Sequence, residues 1–329
     1  MIGSPLATFT NRALVAGEQA AIASFTEQWL ANRRLAENTR DAYRRDVGMW
    51  TRWCAERDVN PLRATFLHVN DWARAMEEPH PRTGRPAAPA TVARRISAVA
   101  SWYDFLAKLG AVAVNPAKIA DRPRVDRDYS PTLGFSAAEA TAMLAAAAAG
   151  DRWLGPAAPA IAAVLVDLGI RVSDLCSLDV EHLGHHEGHR VVQLLQMKGG
   201  KRRTRSMPPA VAKWVDAYLE YRAGQAGIPV GQLAGPLFVT PAGDRVDRKE
   251  VARFVRRLAK AAGMPNWQKI SPHSFRHAWN TIARANGANL EDRQHALGHA
   301  DPRTTQRYDR DRDSLDRDPS WLVAAATSG

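Results

Sequence analysis

Apolar residues recur at helical spacing in both halves of this chain, and the recurrence breaks at one charged, proline-bearing stretch. In TRDAYRRDVGMWTRWCAER, Tyr43, Val47, Trp50 and Cys54 stand four, three and four residues apart, which lines one face of a helix. TVARRISAVASWYDFLAKLG repeats the pattern with Val92, Ile96, Val99, Tyr103 and Leu106, and Gly110 suits its C-terminal cap. Arg40, Arg44 and Arg45 lie beside or opposite the first stripe, and Arg94 and Arg95 project away from the second. Then ADRPRVDRDYSPTLG, residues 120–134, brings two prolines, alternating charge and no periodicity, the marks of a linker. Beyond it Ser136 and Glu139 form a capping box ahead of AEATAMLAAAA. IAAVLVDLG is apolar on nearly all sides and reads as a buried helix. RVVQLLQM, residues 190–197, alternates in the manner of a strand, and MKGGKRRTRSMP adds a Gly-Gly turn and a second, basic strand, so a hairpin is expected. KEVARFVRRLAKAAG is a further basic amphipathic helix. The expected fold class is mainly α: a helical N-terminal domain, a linker, and a larger, mostly helical domain with a small β-sheet.

Charge narrows the function. Lys and Arg number 45 against 34 Asp and Glu, a net charge of +11 over 329 residues, and such an excess points to a polyanionic partner. Cys54 and Cys176 are too few for a disulfide framework or a four-ligand zinc site, which fits a reducing cytoplasm. The N-terminal MIGSPLATFTNRALVAGEQ lacks the charged start and apolar run of a signal peptide. AMLAAAAAG and AIAAVLVDLGI fall short of the roughly 20 apolar residues that span a bilayer. A soluble intracellular protein with no membrane partner is expected.

Several residues of the second region carry chemistry when taken together. They are Arg171 in GIRVSDLCSL, Lys198 in QMKGGKRR, His273 and Arg276 in SPHSFRH, His299 at the end of ALGH, and Tyr308 in the run HALGHADPRTTQRYDR. Each alone is ordinary: a surface arginine, a turn lysine, a helical His-x-x-Arg pair. As a set they are what metal-free phosphodiester transfer needs. Arginine forks neutralise nonbridging oxygens whose charge grows in the transition state. A histidine takes the tyrosine proton, since a free tyrosine with a pKa near 10 needs a base or a positive field to become phenolate. A lysine protonates the departing 5′-oxygen, and tyrosine is the covalent nucleophile.

In these residues the chain resembles the tyrosine recombinase, or phage integrase, family, whose order is Arg, Lys, His-x-x-Arg, His or Trp, Tyr. Arg171, Lys198, His273, Arg276, His299 and Tyr308 follow that order, with Tyr308 nine residues after His299. The resemblance implies a SAM-like core-binding domain over 20–119, a linker over 120–133 and a catalytic domain over 134–329, closing as a C-shaped clamp on DNA. It implies that Arg171 and Arg276 hold the scissile phosphate and that His273 acts as base toward Tyr308. Lys198 would protonate the 5′-hydroxyl, His299 would support the phosphate, and Tyr308 would form a 3′-phosphotyrosyl link. That link conserves the phosphodiester's energy, so neither ATP nor a metal cofactor is expected. Lys198 is preferred to Lys201 because it is the first lysine of the turn. Lys201, Arg202, Arg203 and Arg205 are expected on the DNA backbone, with Arg40, Arg44, Arg94 and Arg95 as DNA contacts of the N-terminal domain. The implied partner is double-stranded DNA bearing a specific recombination site, bound by a homo- or hetero-tetramer across two sites. The outcome would be integration, excision or resolution of a DNA element, in a nucleoid-associated cytoplasmic enzyme. About twenty residues precede the first expected helix, too few for an arm-binding domain, which favours a simple Xer-like or mobile-element type.

Three rivals stand beside this reading. A type IB topoisomerase uses a similar residue set but relaxes supercoils as a monomer. A degenerate integrase would bind DNA without cutting it. A metalloenzyme would draw on HLGHHEGHR, residues 182–190, or on the helical spacing of His295 and His299, but no His-Glu-x-x-His occurs and no third ligand is evident. The histidine-rich stretch is expected in the loop before the hairpin, and the ten tryptophans in the core. The apolar tail SWLVAAATSG, residues 320–329, would cover its own domain or, as the resemblance implies, dock on a neighbouring subunit, and the second is preferred.

Overall fold

A computed structural model of the chain describes residues 16–32, 35, 37–81, 83–125, 132–194 and 203–298. Among these are eleven α-helices and three strands. The chain divides into two units at Asp126 and Arg127, inside the aperiodic stretch, and no helix is long and apolar enough to cross a membrane among the described residues.

The first unit holds α1 (Ala16–Ala31), α2 (Glu37–Ala55), α3 (Phe66–Glu77) and α4 (Pro89–Lys108). The stripes read from sequence meet here: Val47, Trp50 and Cys54 of α2 and Val92, Ile96, Val99, Tyr103 and Leu106 of α4 are buried in one core. Trp50 stacks on Trp53 with ring centroids 5.5 Å apart and tilts against Trp72 at 5.2 Å. Two of the core's aromatic polar groups form a chain, in which Trp50 Nε1 donates to Tyr103 Oη at 3.0 Å and Tyr103 Oη donates to the Pro61 carbonyl at 2.7 Å. That chain satisfies two groups that would each be costly to bury unpaired. Leu109 caps the C-terminus of α4, and Gly110 follows with φ 72°, a conformation glycine adopts without penalty.

The second unit holds α5 (Ala137–Ala148), α6 (Ala157–Leu168), α7 (Val172–Cys176), β1 (Leu183–His186), β2 (His189–Leu194), β3 (Arg203–Ser206), α8 (Pro209–Ala226), α9 (Arg248–Ala261), α10 (Pro272–Ala285) and α11 (Leu290–Leu297). The Ser136–Glu139 capping box opens α5, with Glu139 Oε2 accepting from the Ser136 backbone N–H at 2.8 Å. Helix α6 lies at the centre of the core, packed by α5, α8 and α10. A second capping box, Asp247 and Glu250, starts the basic helix α9, which buries Val251, Phe254, Val255 and Leu258.

The sheet differs from expectation in one respect. It has three strands in the order β1-β2-β3, all antiparallel, and the histidine-rich stretch is the first hairpin rather than a loop. Glu187 and Gly188 form its turn with φ 47° and 78°, the paired positive φ values that favour tight hairpins. His185 faces Arg190 and His186 faces His189 across the ladder, so alternation sends neighbouring histidines to opposite faces. The tryptophans also divide: Trp29, Trp50, Trp53, Trp72 and Trp102 are buried, whereas Trp153 is 56% exposed. Cys54 and Cys176 are both free thiols, one in each unit.

Candidate active site

Arg171, His273 and Arg276 fall among the described residues; Lys198, His299 and Tyr308 lie outside them, as do Lys201, Arg202 and the tail 320–329. Two helix ends hold the two arginines among the three described. Helix α6 terminates at Gly169 and α11 at Gly298, both left-handed, with φ 57° and 61°. The last carbonyls of a helix lack intrahelical donors and carry the negative end of its dipole. Side chains from other elements take them one by one. At the end of α6, Trp279 Nε1 donates to the Asp167 carbonyl at 2.9 Å, Arg205 Nη2 to Leu168 at 3.3 Å, and Arg276 Nη1 to Gly169 at 3.0 Å. At the end of α11, Arg203 Nη1 donates to the His295 carbonyl at 2.8 Å, Arg276 Nη2 to Leu297, and Arg171 Nη2 to Gly298 at 3.3 Å.

Arg276 therefore ties both helix ends together and is 2% exposed, while the Arg171 side chain keeps 36% of its surface open. Gly169 is where this arrangement tolerates least: its φ is positive, and a Cβ there would stand 2.6 Å from the Trp279 ring. Arg171 caps the short helix α7, and its backbone N–H donates to Asp174 Oδ2 at 3.4 Å. Asp174 is buried, which raises its pKa; the charge of Arg171, the Arg171 backbone bond, and the charges of Arg276 and Arg203 work against that rise.

His273 follows Pro272 in the first turn of α10, three residues before Arg276 and on the same helix face. The residue is exposed at its outer edge, yet protein crowds the ring. That desolvation first, then the charges of Arg276 and Arg171, hold its pKa below the ordinary histidine value. Because the edge is open to solvent, the two guanidinium charges are the firmer cause. A neutral imidazole beside two fixed guanidiniums is suited to accept a proton next to a bound anion.

Arg203 and Arg205, expected as DNA contacts, have partners within the protein. Arg203 and Arg205 alternate with Thr204 and Ser206 along β3, and it is the arginine face that turns inward. Arg203 is 8% exposed and reaches α11; Arg205 lies with its guanidinium 5.2 Å from the centroid of Trp279, and burial pushes its pKa down to about 10. It remains a cation at neutral pH, serving as a cap for α6. Among the N-terminal arginines, Arg44 is exposed and paired with Glu27 at 3.0 Å and Asp41 at 3.2 Å. Arg94 bonds the buried Asp46, half of its own side chain staying in solvent. Arg95 turns inward, its Nη1 3.4 Å from Met76 Sδ and its Nε 3.9 Å from Asp46. Arg40 is half-buried on α2. Asp46 thus draws arginines of α4 against α2.

Sequence reasoning passed over Gly169, Asp174, Trp279 and Gly298. Gly169 carried a signal, directly following an apolar helical run, whereas Gly298 follows a mostly polar one. Asp174 and Trp279 had only their helical spacing from Arg171 and Arg276.

Comparison with known proteins places the chain. Residues 136–314 match the phage integrase family, and residues 22–110 match the phage integrase N-terminal SAM-like domain. Tyrosine recombinase XerD of Ralstonia nicotianae is 30% identical over 288 residues, covering 88% of each chain. Tyrosine recombinase XerD of Caulobacter vibrioides is 33% identical over 294 residues, 87% of this chain and 90% of that one. Among solved structures the fold is shared with the Tn1549 transposon integrase bound to transposon right end DNA, at TM-score 0.68 and 16% identity over 94% of this chain and 99% of that one. It is shared also with a lambda integrase dimer bound to a COC′ core site, at TM-score 0.67 and 15% identity over 92% and 79%. The chain belongs to the phage integrase family of tyrosine recombinases, enzymes that break and rejoin DNA at specific sites.

Proposed function

We propose that this chain cleaves one DNA strand through Tyr308 and conserves the bond as a 3′-phosphotyrosyl link. The phenol oxygen bonds to phosphorus, the bond from phosphorus to the 5′-oxygen breaks, His273 takes the phenol proton, and Lys198 supplies one to the leaving oxygen. Arg171 and Arg276 hold the nonbridging oxygens, and His299 adds a hydrogen bond. A 5′-hydroxyl of the partner strand then reverses the step, with no ATP. The observation that carries this reading is the pair of helix ends that fixes Arg171 and Arg276 beside His273, whose neighbours disfavour its protonation. Such preorganised donors act on charge as it develops and need no rearrangement at the moment of reaction. The net charge of +11 and the exposed arginine edges of α2 and α4 favour duplex DNA as the partner.

The working form is a tetramer of this chain, or of this chain with a second recombinase, spanning two copies of a specific site in the nucleoid. The domain limits are 20–119, 120–133 and 134–329. The test is a nicked suicide duplex bearing a site selected by binding from the chain's own genomic neighbourhood. The wild-type chain is expected to form a covalent adduct; Tyr308→Phe is expected to bind the duplex and form none. An adduct with Tyr308→Phe removes Tyr308 as nucleophile. Supercoil relaxation by a monomer without pairing of two sites would move the chain to the topoisomerase reading.

A further inference from the structure

Arg203 has a placement that the proposed chemistry does not use. It is 8% exposed, and of its guanidinium nitrogens Nη1 reaches the His295 carbonyl at 2.8 Å while Nε and Nη2 are buried with no hydrogen-bond partner among the described residues. Burial lowers its pKa, Asp174 works against that shift, and Arg171 adds to it. A buried cation with unpaired donors costs stability, and an apolar side chain of similar length commonly fills such a place at no loss. Arg205, two residues along, differs: the Trp279 ring and the Leu168 carbonyl give it a packed seat. The question is what the unfavourable burial of Arg203 accomplishes.

We propose that Arg203 is a positioning residue for strand cleavage, which grips from β3 the last turn of α11, the helix that leads in the chain to His299 and Tyr308. The inference rests on the proposed function. Lys198 precedes Arg203 by five residues and His299 follows His295 by four. The bond from Arg203 to His295 therefore ties β3, the strand that follows Lys198 in the chain, to α11, the helix that precedes His299 and Tyr308. The same helix end receives Arg276 at Leu297 and Arg171 at Gly298. Arg203 thus completes a set of three arginines on one helix terminus, with the outer two addressed to the phosphate and Arg203 to the helix itself. Displacement of a reacting group by about 1 Å costs on the order of 10²-fold in rate, so loss of the grip acts on the chemical step.

The experiment compares full-length wild-type, Arg203→Met and Arg203→Lys on the selected, nicked suicide duplex. Three quantities are read: the single-turnover rate of adduct formation, duplex affinity across a salt series, and the thermal midpoint. Arg203→Met is expected to keep or raise the midpoint, keep the salt slope, and form adduct about 10²-fold more slowly. Arg203→Lys, which restores one donor and the charge, is expected to recover part of that rate. A wild-type rate in Arg203→Met overturns the proposal. So does a salt slope reduced by about one, which marks a direct phosphate contact. If Arg203→Met does not fold, Arg203→Lys decides: slowed cleavage with an unchanged salt slope supports the grip, and a wild-type rate overturns it. No adduct from the wild-type chain sinks the proposed function itself, whereas a defect confined to the Arg203 variants belongs to this inference alone.

Discussion

Gly169→Ala probes the link between helix geometry and catalysis most directly. The residue caps α6 at φ 57°, and its carbonyl accepts from Arg276 Nη1 at 3.0 Å. Placing an alanine in the left-handed region costs roughly 1–2 kcal/mol. The new methyl would lie 2.6 Å from Trp279 Cγ and 2.9 Å from its Cβ, so the indole must withdraw rather than rotate away. Withdrawal gives up the Trp279 bond to Asp167, worth about 1 kcal/mol net, and loosens the Arg205–Trp279 contact, worth about 1 kcal/mol. The total, about 3–4 kcal/mol, corresponds to a fall of about 10 °C in the thermal midpoint of a unit this size. Gly227→Ala is the internal control. Gly227 caps α8 at φ 67° but has nothing within 4 Å of the added Cβ, so it incurs the backbone strain alone. The two variants are compared by calorimetry and by single-turnover cleavage at a temperature where both are folded. Gly169→Ala is expected to lose the larger share of stability and, because its carbonyl seats Arg276, about 10²-fold in rate. Equal midpoints for the two variants, or a folded Gly169→Ala that cleaves at the wild-type rate, would refute the argument.

Other outcomes follow from the same geometry. Arg171→Ala and Arg276→Ala each remove a preorganised donor and are expected to lower the cleavage rate at least 10²–10³-fold, read on the suicide duplex. The His273 pKa is lowered, so the neutral base persists to more acid pH than a free histidine allows. The wild-type pH–rate profile is therefore expected to stay level from neutrality to about pH 6.5 and to fall only below it; a fall beginning above pH 7 contradicts the assignment. In the first unit, Tyr103→Phe removes the acceptor of Trp50 Nε1 and the donor to Pro61. It is expected to cost about 1–3 kcal/mol by denaturant unfolding, with cleavage per folded molecule unchanged.

Much of the architecture was legible in the chain because its determinants are local. Helical spacing placed α2 and α4, the Ser136–Glu139 pair placed the start of α5, and an all-apolar run announced the buried α6. The first hairpin was hidden because its first strand, Leu183–His186, is short and polar, and its Glu-Gly turn drew less notice than four histidines. Asp46 was equally hidden: one acidic residue in a basic helix reads as surface, and only the approach of α4 makes it a buried anchor for Arg94.

The candidate site divides in the same way. Order and spacing along the chain sufficed to single out Arg171, His273 and Arg276 as chemistry-bearing groups, because that judgement needs residue types and intervals alone. Where each arginine points was decided in three dimensions. Arg276 meets Gly169 across 107 residues, Arg171 meets Gly298 across 127, and Arg203 meets His295 across 92. A run of basic residues looks the same in sequence whether it faces phosphates or the ends of helices. Both offer partial or full negative charge to a guanidinium, and the tertiary fold determines which of them lies within reach.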